Sequence, residues 1–452
     1  MKSFSCAGLA VACQPMQQVD LSLLAEKFPE RYPHLLQSVA QGQLGRFDIL
    51  FAFPQSSYQL DNLADASDFI AQFQAEIESN QACLTEPCHL PFYGGWFVYF
   101  GYEYAGVIEP SLKLSTSQLP LAVLQRFPAA IIIDHQQQAV FFVAESSFSD
   151  CVARMQEDYA NAVGQQIENS ALVIRHINEE APGRYIDGVK RIKDYILAGD
   201  VFQVNLSRLW QLEFDRVYDP ASLSAQIYRQ LRQHNPAPFA GLIQLEDASI
   251  ISSSPERLVR YTSPWVDTRP IAGTRKRSEQ HAEDMALIQE LIAHPKERAE
   301  HIMLIDLERN DLGRICQPGS VEVNELMVVE SYQHVHHIVS NVRGRLVEGK
   351  TPLDIIHALF PGGTITGCPK IRCMEIIAEL ESGPREAYTG SVGYINRDGS
   401  MDTNILIRSF IQQGDQVSFR AGAGIVADSD PNFELEETRH KAKGLLNALG
   451  LK

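Results

Sequence analysis

The run PAAIIIDHQQQAVFFVAES, Pro128 to Ser146, holds two apolar segments separated by only four residues, His135 to Gln138. A connection that short joins antiparallel neighbours, because a parallel pair needs a crossover of roughly a dozen residues or more. The same pattern returns in APFAGLIQLEDASIISSSPERLVRY, TGSVGYINRDGSMDTNILIRSFI and QVSFRAGAGIVADS, while RFDILFAF and GGWFVYFGYEY read as further strands. Helical periodicity falls between them, over residues 66–78, 148–167, 185–198, 371–381 and 431–449. Strands that pair in hairpins, mixed with long helices and without βαβ alternation, define the α+β class.

Two regions are expected, 1–169 and 185–449, separated by the weakly patterned ENSALVIRHINEEAPG. At 452 residues the chain exceeds the size at which a single core usually stops growing. The net charge of -17 argues against a nucleic-acid partner, which would require lysines and arginines to neutralise phosphates. No apolar run reaches the length of a membrane span, so no membrane association is expected. The eight cysteines show neither C-x-x-C pairs nor zinc spacing, which suits reduced thiols and a cytoplasmic location. The opening MKSFSCAGLAVACQ is read as a first strand rather than a secretion signal, its apolar stretch being short and broken.

The chemistry centres on Thr268 to Arg314, where Pro295 can open a helix that carries Glu297 and Glu300 three residues apart, on one face. Such a pair is common on solvated helices. A second helix, with Asp430 as N-cap and Pro431 in its first turn, offers Glu434 and Glu437 with Lys441 four residues further. Two such faces can meet around one divalent cation. The strand GDVFQVNLSRLWQLEF is expected to expose Gln203, Asn205 and Ser207 on one face. FPGGTITGCPK lacks the G-K-[ST] of a Walker loop, which leaves either a structural turn or a helix start aimed at an anion such as a carboxylate. Alternation places His334 and His336 on one strand face and His337 on the other. Glu256, beside Pro255 at a strand end, is either structural or a carboxyl kept protonated by desolvation for general-acid work.

SSSPERL, TRPIAGTR, KERAEHIMLIDLERNDLGR, VHHIVSNVRG, FPGGTITGCPKIRCMEIIAELE, GSVGYINRDGSMDTNILIR and AGAGIVADSDPNFELEETRHKA together resemble the chorismate-utilising enzymes. That family comprises anthranilate synthase component I, aminodeoxychorismate synthase component I, and the isochorismate and salicylate synthases. The resemblance covers nearly all of residues 185–449, and the amino-terminal region matches more weakly as an anthranilate synthase component I-like part. It implies a large two-layered antiparallel β-sandwich with helices on the outside and the active site between its halves. It further implies that Glu297, Glu300, Glu434 and Glu437 surround Mg²⁺ and a substrate carboxylate. Tyr394, Arg408 and Lys441 would hold carboxylates, Gly273, Thr274, Thr364 and Gly424 would line the substrate site, Glu256 would be the general acid, and His337 would stand beside the ring.

The branches that activate water carry a lysine where this chain has Gln203, and ammonia needs no such base, so the resemblance implies an aminating member. GRFDI, PGGTITG and MDTNILIRS lean towards aminodeoxychorismate synthase, which makes 4-amino-4-deoxychorismate for 4-aminobenzoate and folate biosynthesis. Ala272 leans the other way: many members of that branch place a covalent lysine there, and PIAGT is typical of anthranilate synthase, the tryptophan branch. The implied partners are chorismate, a separate glutamine amidotransferase subunit supplying ammonia, and a separate aminodeoxychorismate lyase downstream. LLQS resembles an amino-terminal tryptophan-site motif, which singles out Leu36 and Ser38. A catalytically silent binding protein on the same fold stands as the other class of reading; it would have lost a metal glutamate or Lys441, and none is lost.

Overall fold

A computed structural model of the chain describes residues 2–6, 8–39, 45–82, 88–165, 167, 172–215, 218–332 and 335–451, leaving aside the side chains of residues 2–6 and 296. His334 and part of the expected inter-region linker fall outside the described residues. Among the described residues the strands form one sheet of 13 and a second of 10. Neighbours pair antiparallel, as short connections require, and the hairpin Ala129–Asp134 with Ala139–Glu145 turns where the polar residues interrupt the apolar run.

The two sheets face each other. Ile49, Phe51, Ile132, Val143 and Ile250 of the larger sheet and Phe97, Tyr99, Val123 and Phe127 of the smaller meet in one buried cluster. Each such side chain, fully buried, contributes about 1.5–3 kcal/mol of transfer free energy. The outer faces are covered by helices. Asp150–Ala162 and Pro220–His234 pack on the larger sheet, and Ala66–Asn80 and Pro352–Leu359 on the smaller. The chain is thus an α+β sandwich with its helices outside.

Early and late segments share both sheets: His34–Gln37 pairs with Phe239–Gln244 in the larger, and Gly95–Phe100 with Ser391–Asn396 in the smaller. One crossing between the sheets matters for chemistry. Ser249–Ser254 belongs to the larger sheet and Arg257–Thr262 to the smaller, so Pro255 and Glu256 form the step between them. The face of Gln203–Phe214 that carries Gln203 and Ser207 is buried, contrary to the expected exposure, because Gln203 turns into a cavity and Ser207 packs against Glu381 and Arg420. Among the described residues no helix is long and apolar enough to cross a membrane.

Candidate active site

A cavity of about 230 Å³ opens where the ends of the two sheets and two helices converge. Gln203 and Asn205 come from Gln203–Phe214, and Gly422 and Gly424 from its neighbour Gln416–Ile425. The smaller sheet supplies Ala272, Gly273 and Thr274 from Ile271–Lys276 and His337 from Val335–Arg345. The helix Pro295–Gly313 contributes Glu300 and Leu304, one turn apart, and Pro431–Ala448 contributes Lys441 and Leu445. Both helices begin as expected: each has proline in its first turn, His294 accepts from the Glu297 N–H, and Asp430 accepts from the N–H groups of Asn432 and Phe433.

Glu256 and Thr364 complete the wall. Glu256 is only 5% exposed. Burial pushes its carboxyl up to about 8; the charge of Glu308 acts in the same direction, while the Thr364 hydroxyl, the Ile271 N–H and Arg408 oppose it. It is therefore largely protonated at neutral pH and able to give up a proton. His337 lies across the cavity with Nδ1 2.9 Å from the Thr274 hydroxyl, and burial pulls its imidazole down to about 3, so the ring is neutral. His336, on the opposite strand face, instead meets Asp284 at 2.8 Å.

Gln203 donates from Nε2 to Glu300 Oε1 at 2.9 Å, while its Oε1 and the Oδ1 of Asn205 are buried with no hydrogen-bond partner. Unpaired buried acceptors facing a cavity point to a ligand that donates there. The close packing also explains two glycines. A Cβ on Gly424 would stand 2.2 Å from Gln203 Nε2, and one on Gly273, at φ +64°, would stand 2.8 Å from Glu297 Oε2. Gly424→Ala is accordingly expected to displace the Gln203 amide and raise KM for the substrate by about tenfold or more, an outcome read from steady-state kinetics with the thermal midpoint as control.

Three cations line the cavity, Arg408, Arg420 and Lys441. Arg408 sits at φ 53°, a conformation that costs a non-glycine residue about 1–3 kcal/mol and tends to persist where function uses it. Lys441 Nζ donates to the Gly422 carbonyl at 3.0 Å. Arg420 and Tyr388 were not singled out from sequence. A charged residue among small and apolar ones in FRAGAG was a usable signal for Arg420, whereas nothing local distinguishes Tyr388 from Tyr394. The expected Tyr394 is not at this site: it belongs to a second cavity, of about 320 Å³, and Tyr388 occupies the site wall instead. The reason is topological, since Tyr394 lies inside the strand Ser391–Asn396 and points away, whereas Tyr388 precedes that strand. Leu36 and Ser38 line the same second cavity as Tyr394, together with Arg257, which grips Asp402 through two bonds of 2.8 and 2.9 Å.

Of the four glutamates expected to hold a cation, only Glu300 lines the cavity. Glu297 pairs with Arg275 at 3.3 Å, Glu434 accepts from Ser429 Oγ at 2.7 Å, and Glu437 lies 3.7 Å from Lys441 Nζ. Among the described residues no three acidic, histidine or cysteine side chains converge on one point at metal-binding range. The donor chemistry nevertheless fits Mg²⁺, a hard cation that takes carboxylate oxygens, and the helices bearing these pairs both border the cavity.

The geometry defines a buried, cationic pocket with a protonated carboxyl, suited to an anionic substrate that must lose a leaving group. The chain belongs to the family of chorismate binding enzymes, whose profile matches residues 33–447. It is similar to an anthranilate synthase component I-like protein of Synechocystis, 45% identical over 80% of this chain and 74% of that one. It is also similar to aminodeoxychorismate synthase component 1 of Bacillus subtilis, 42% identical over 80% and 78%. The crystal structure of anthranilate synthase component I from Streptococcus pneumoniae superposes with a TM-score of 0.76 at 31% identity, covering 89% of this chain and 92% of that one.

Proposed function

We propose that the chain is an aminating enzyme, component I of aminodeoxychorismate synthase, converting chorismate to 4-amino-4-deoxychorismate. The observation that carries the amination is Gln203: its side chain bonds to Glu300 and offers no base, so nothing at that position activates water. Glu256 donates its proton to the departing 4-hydroxyl, which leaves as water. Arg408, Lys441 and Tyr388 hold the carboxylates of the dianion, and neutral His337 packs beside the ring. Glu297, Glu300, Glu434 and Glu437 would hold Mg²⁺, which when bound supplies an electrostatic anchor for a substrate carboxylate. With Ala272 no lysine amine is available for a covalent ring adduct, so water or ammonia takes that place. The same reading gives ammonia delivery to a glutamine amidotransferase partner, pyruvate removal to a downstream lyase, and the cavity at Leu36 and Ser38 to tryptophan.

Ala272 favours a second reading, anthranilate synthase component I, in which ammonia enters at carbon 2 and pyruvate is lost. Product identification decides. Chorismate, Mg²⁺ and ammonium are expected to give 4-aminobenzoate only after an aminodeoxychorismate lyase is added; anthranilate without any lyase overturns the preferred product. Glutamine is expected to replace ammonium only when the amidotransferase is present.

A further inference from the structure

Behind the cavity lies a second buried carboxyl that the reaction as described does not use. Glu300, Leu304 and Glu308 follow at intervals of four along Pro295–Gly313 and so share one helix face. The first two line the cavity, and Glu308 lies beyond them, 5% exposed. Its Oε2 accepts from the Thr268 hydroxyl at 2.9 Å. Gly363 opens the turn Gly363–Ile365, whose Thr364 lines the cavity together with Glu256. Space there is tight: a Cβ on Gly363 would stand 3.5 Å from Glu308 Oε1 and 2.3 Å from Leu307 Cδ2.

We infer that Glu308 is a positioning residue for the acid: held against the turn that carries Thr364, its negative charge keeps the proton on Glu256. The inference rests on Glu256 being the general acid. A carboxylate in a buried setting opposes the ionisation of another carboxyl nearby. The groups facing Glu308 are Thr268 from Trp265–Thr268, Gly363 from the turn, Asp311 from its own helix, and Lys370, which bonds to Asp311, from Lys370–Leu380. Those facing Glu256 are Thr364, the Ile271 backbone, Arg408 and Glu308. Burial pushes Glu308 itself up to about 7, with Asp311 adding to the effect and Lys370 opposing it. Its influence on Glu256 therefore grows as pH rises through neutrality, where the acid most needs to retain its proton.

The test is the pH dependence of kcat/KM for chorismate at fixed free ammonia, for the parent, Glu308→Gln and Glu308→Asp. For Glu308→Gln the alkaline limb is expected to move to lower pH. Its rate should fall about three- to tenfold below the parent near pH 8.5 and stay within about twofold near pH 6.5, with KM little changed. Glu308→Asp keeps the charge and should return the limb towards the parent. A loss uniform across pH with the limb unmoved overturns the inference. Thr268→Val withdraws the hydroxyl donor and should move the limb the same way by less; should Glu308→Gln not fold, an unmoved limb in Thr268→Val overturns the inference instead. Glu256→Gln separates the two ideas: if it retains parental rate and limb, the general-acid reading fails, whereas an inactive Glu256→Gln beside an unmoved Glu308→Gln limb defeats only the role of Glu308.

Discussion

Glu256→Gln is expected to lower kcat with chorismate by about 10²–10⁴-fold, the usual contribution of a positioned general acid, with a much smaller change in KM. The substitution is nearly isosteric and leaves an amide that cannot protonate the departing oxygen. The sign of the pH dependence follows from the same group. The working form is the protonated acid, burial sets its carboxyl near 8, and activity should therefore hold through neutrality and decline as pH rises through that value. A steady-state profile of kcat/KM checks this, with the ammonia concentration held constant so that its own protonation does not enter. A rate that climbs steadily past pH 9 would show that the proton comes from elsewhere.

Glu300→Gln and Glu437→Gln should each abolish Mg²⁺-dependent turnover, by about 10²-fold or more, without unfolding the chain. Glu300 is half-buried at the cavity wall, and Glu437 sits one helical turn before Lys441 on the other helix that borders the cavity. Removing one carboxylate weakens a hard-cation site and also disturbs the neighbour it restrains, Gln203 in the first case and Lys441 in the second. Activity titrated against Mg²⁺, with thermal unfolding as control, separates a binding defect from a folding one. Full activity of the parent in excess chelator would contradict the metal requirement outright.

Much of the fold is legible in the chain itself, for reasons that are local. The apolar runs on either side of His135 to Gln138 can pair only antiparallel, and the observed hairpin turns there. Pro295 and Asp430 mark helix starts because a missing N–H and a capping carboxylate act within one turn of their own positions. The i, i+3 glutamate pairs belong to the same local arithmetic. Motifs long enough to mark the family also pointed to Glu256, Ala272, Gly273, Thr274, His337, Thr364, Arg408, Gly424 and Lys441, all of which line one cavity.

What the chain alone did not determine depends on which sheet lies opposite a residue. Tyr388 and Tyr394 are six positions apart and chemically identical, yet one faces the site and the other the second cavity; only the entry point of Ser391–Asn396 into the smaller sheet separates them. Strand alternation put Gln203 and Ser207 on a common face, but whether that face meets water or a second sheet is a long-range matter, and here it is buried. Glu308 reads in sequence as one more charged residue on a helix, and only the folded chain buries it against the Gly363–Ile365 turn. Local periodicity and capping act over a few residues and are written in the sequence, whereas desolvation and the fields of distant charges exist only once sheets and helices have closed over them.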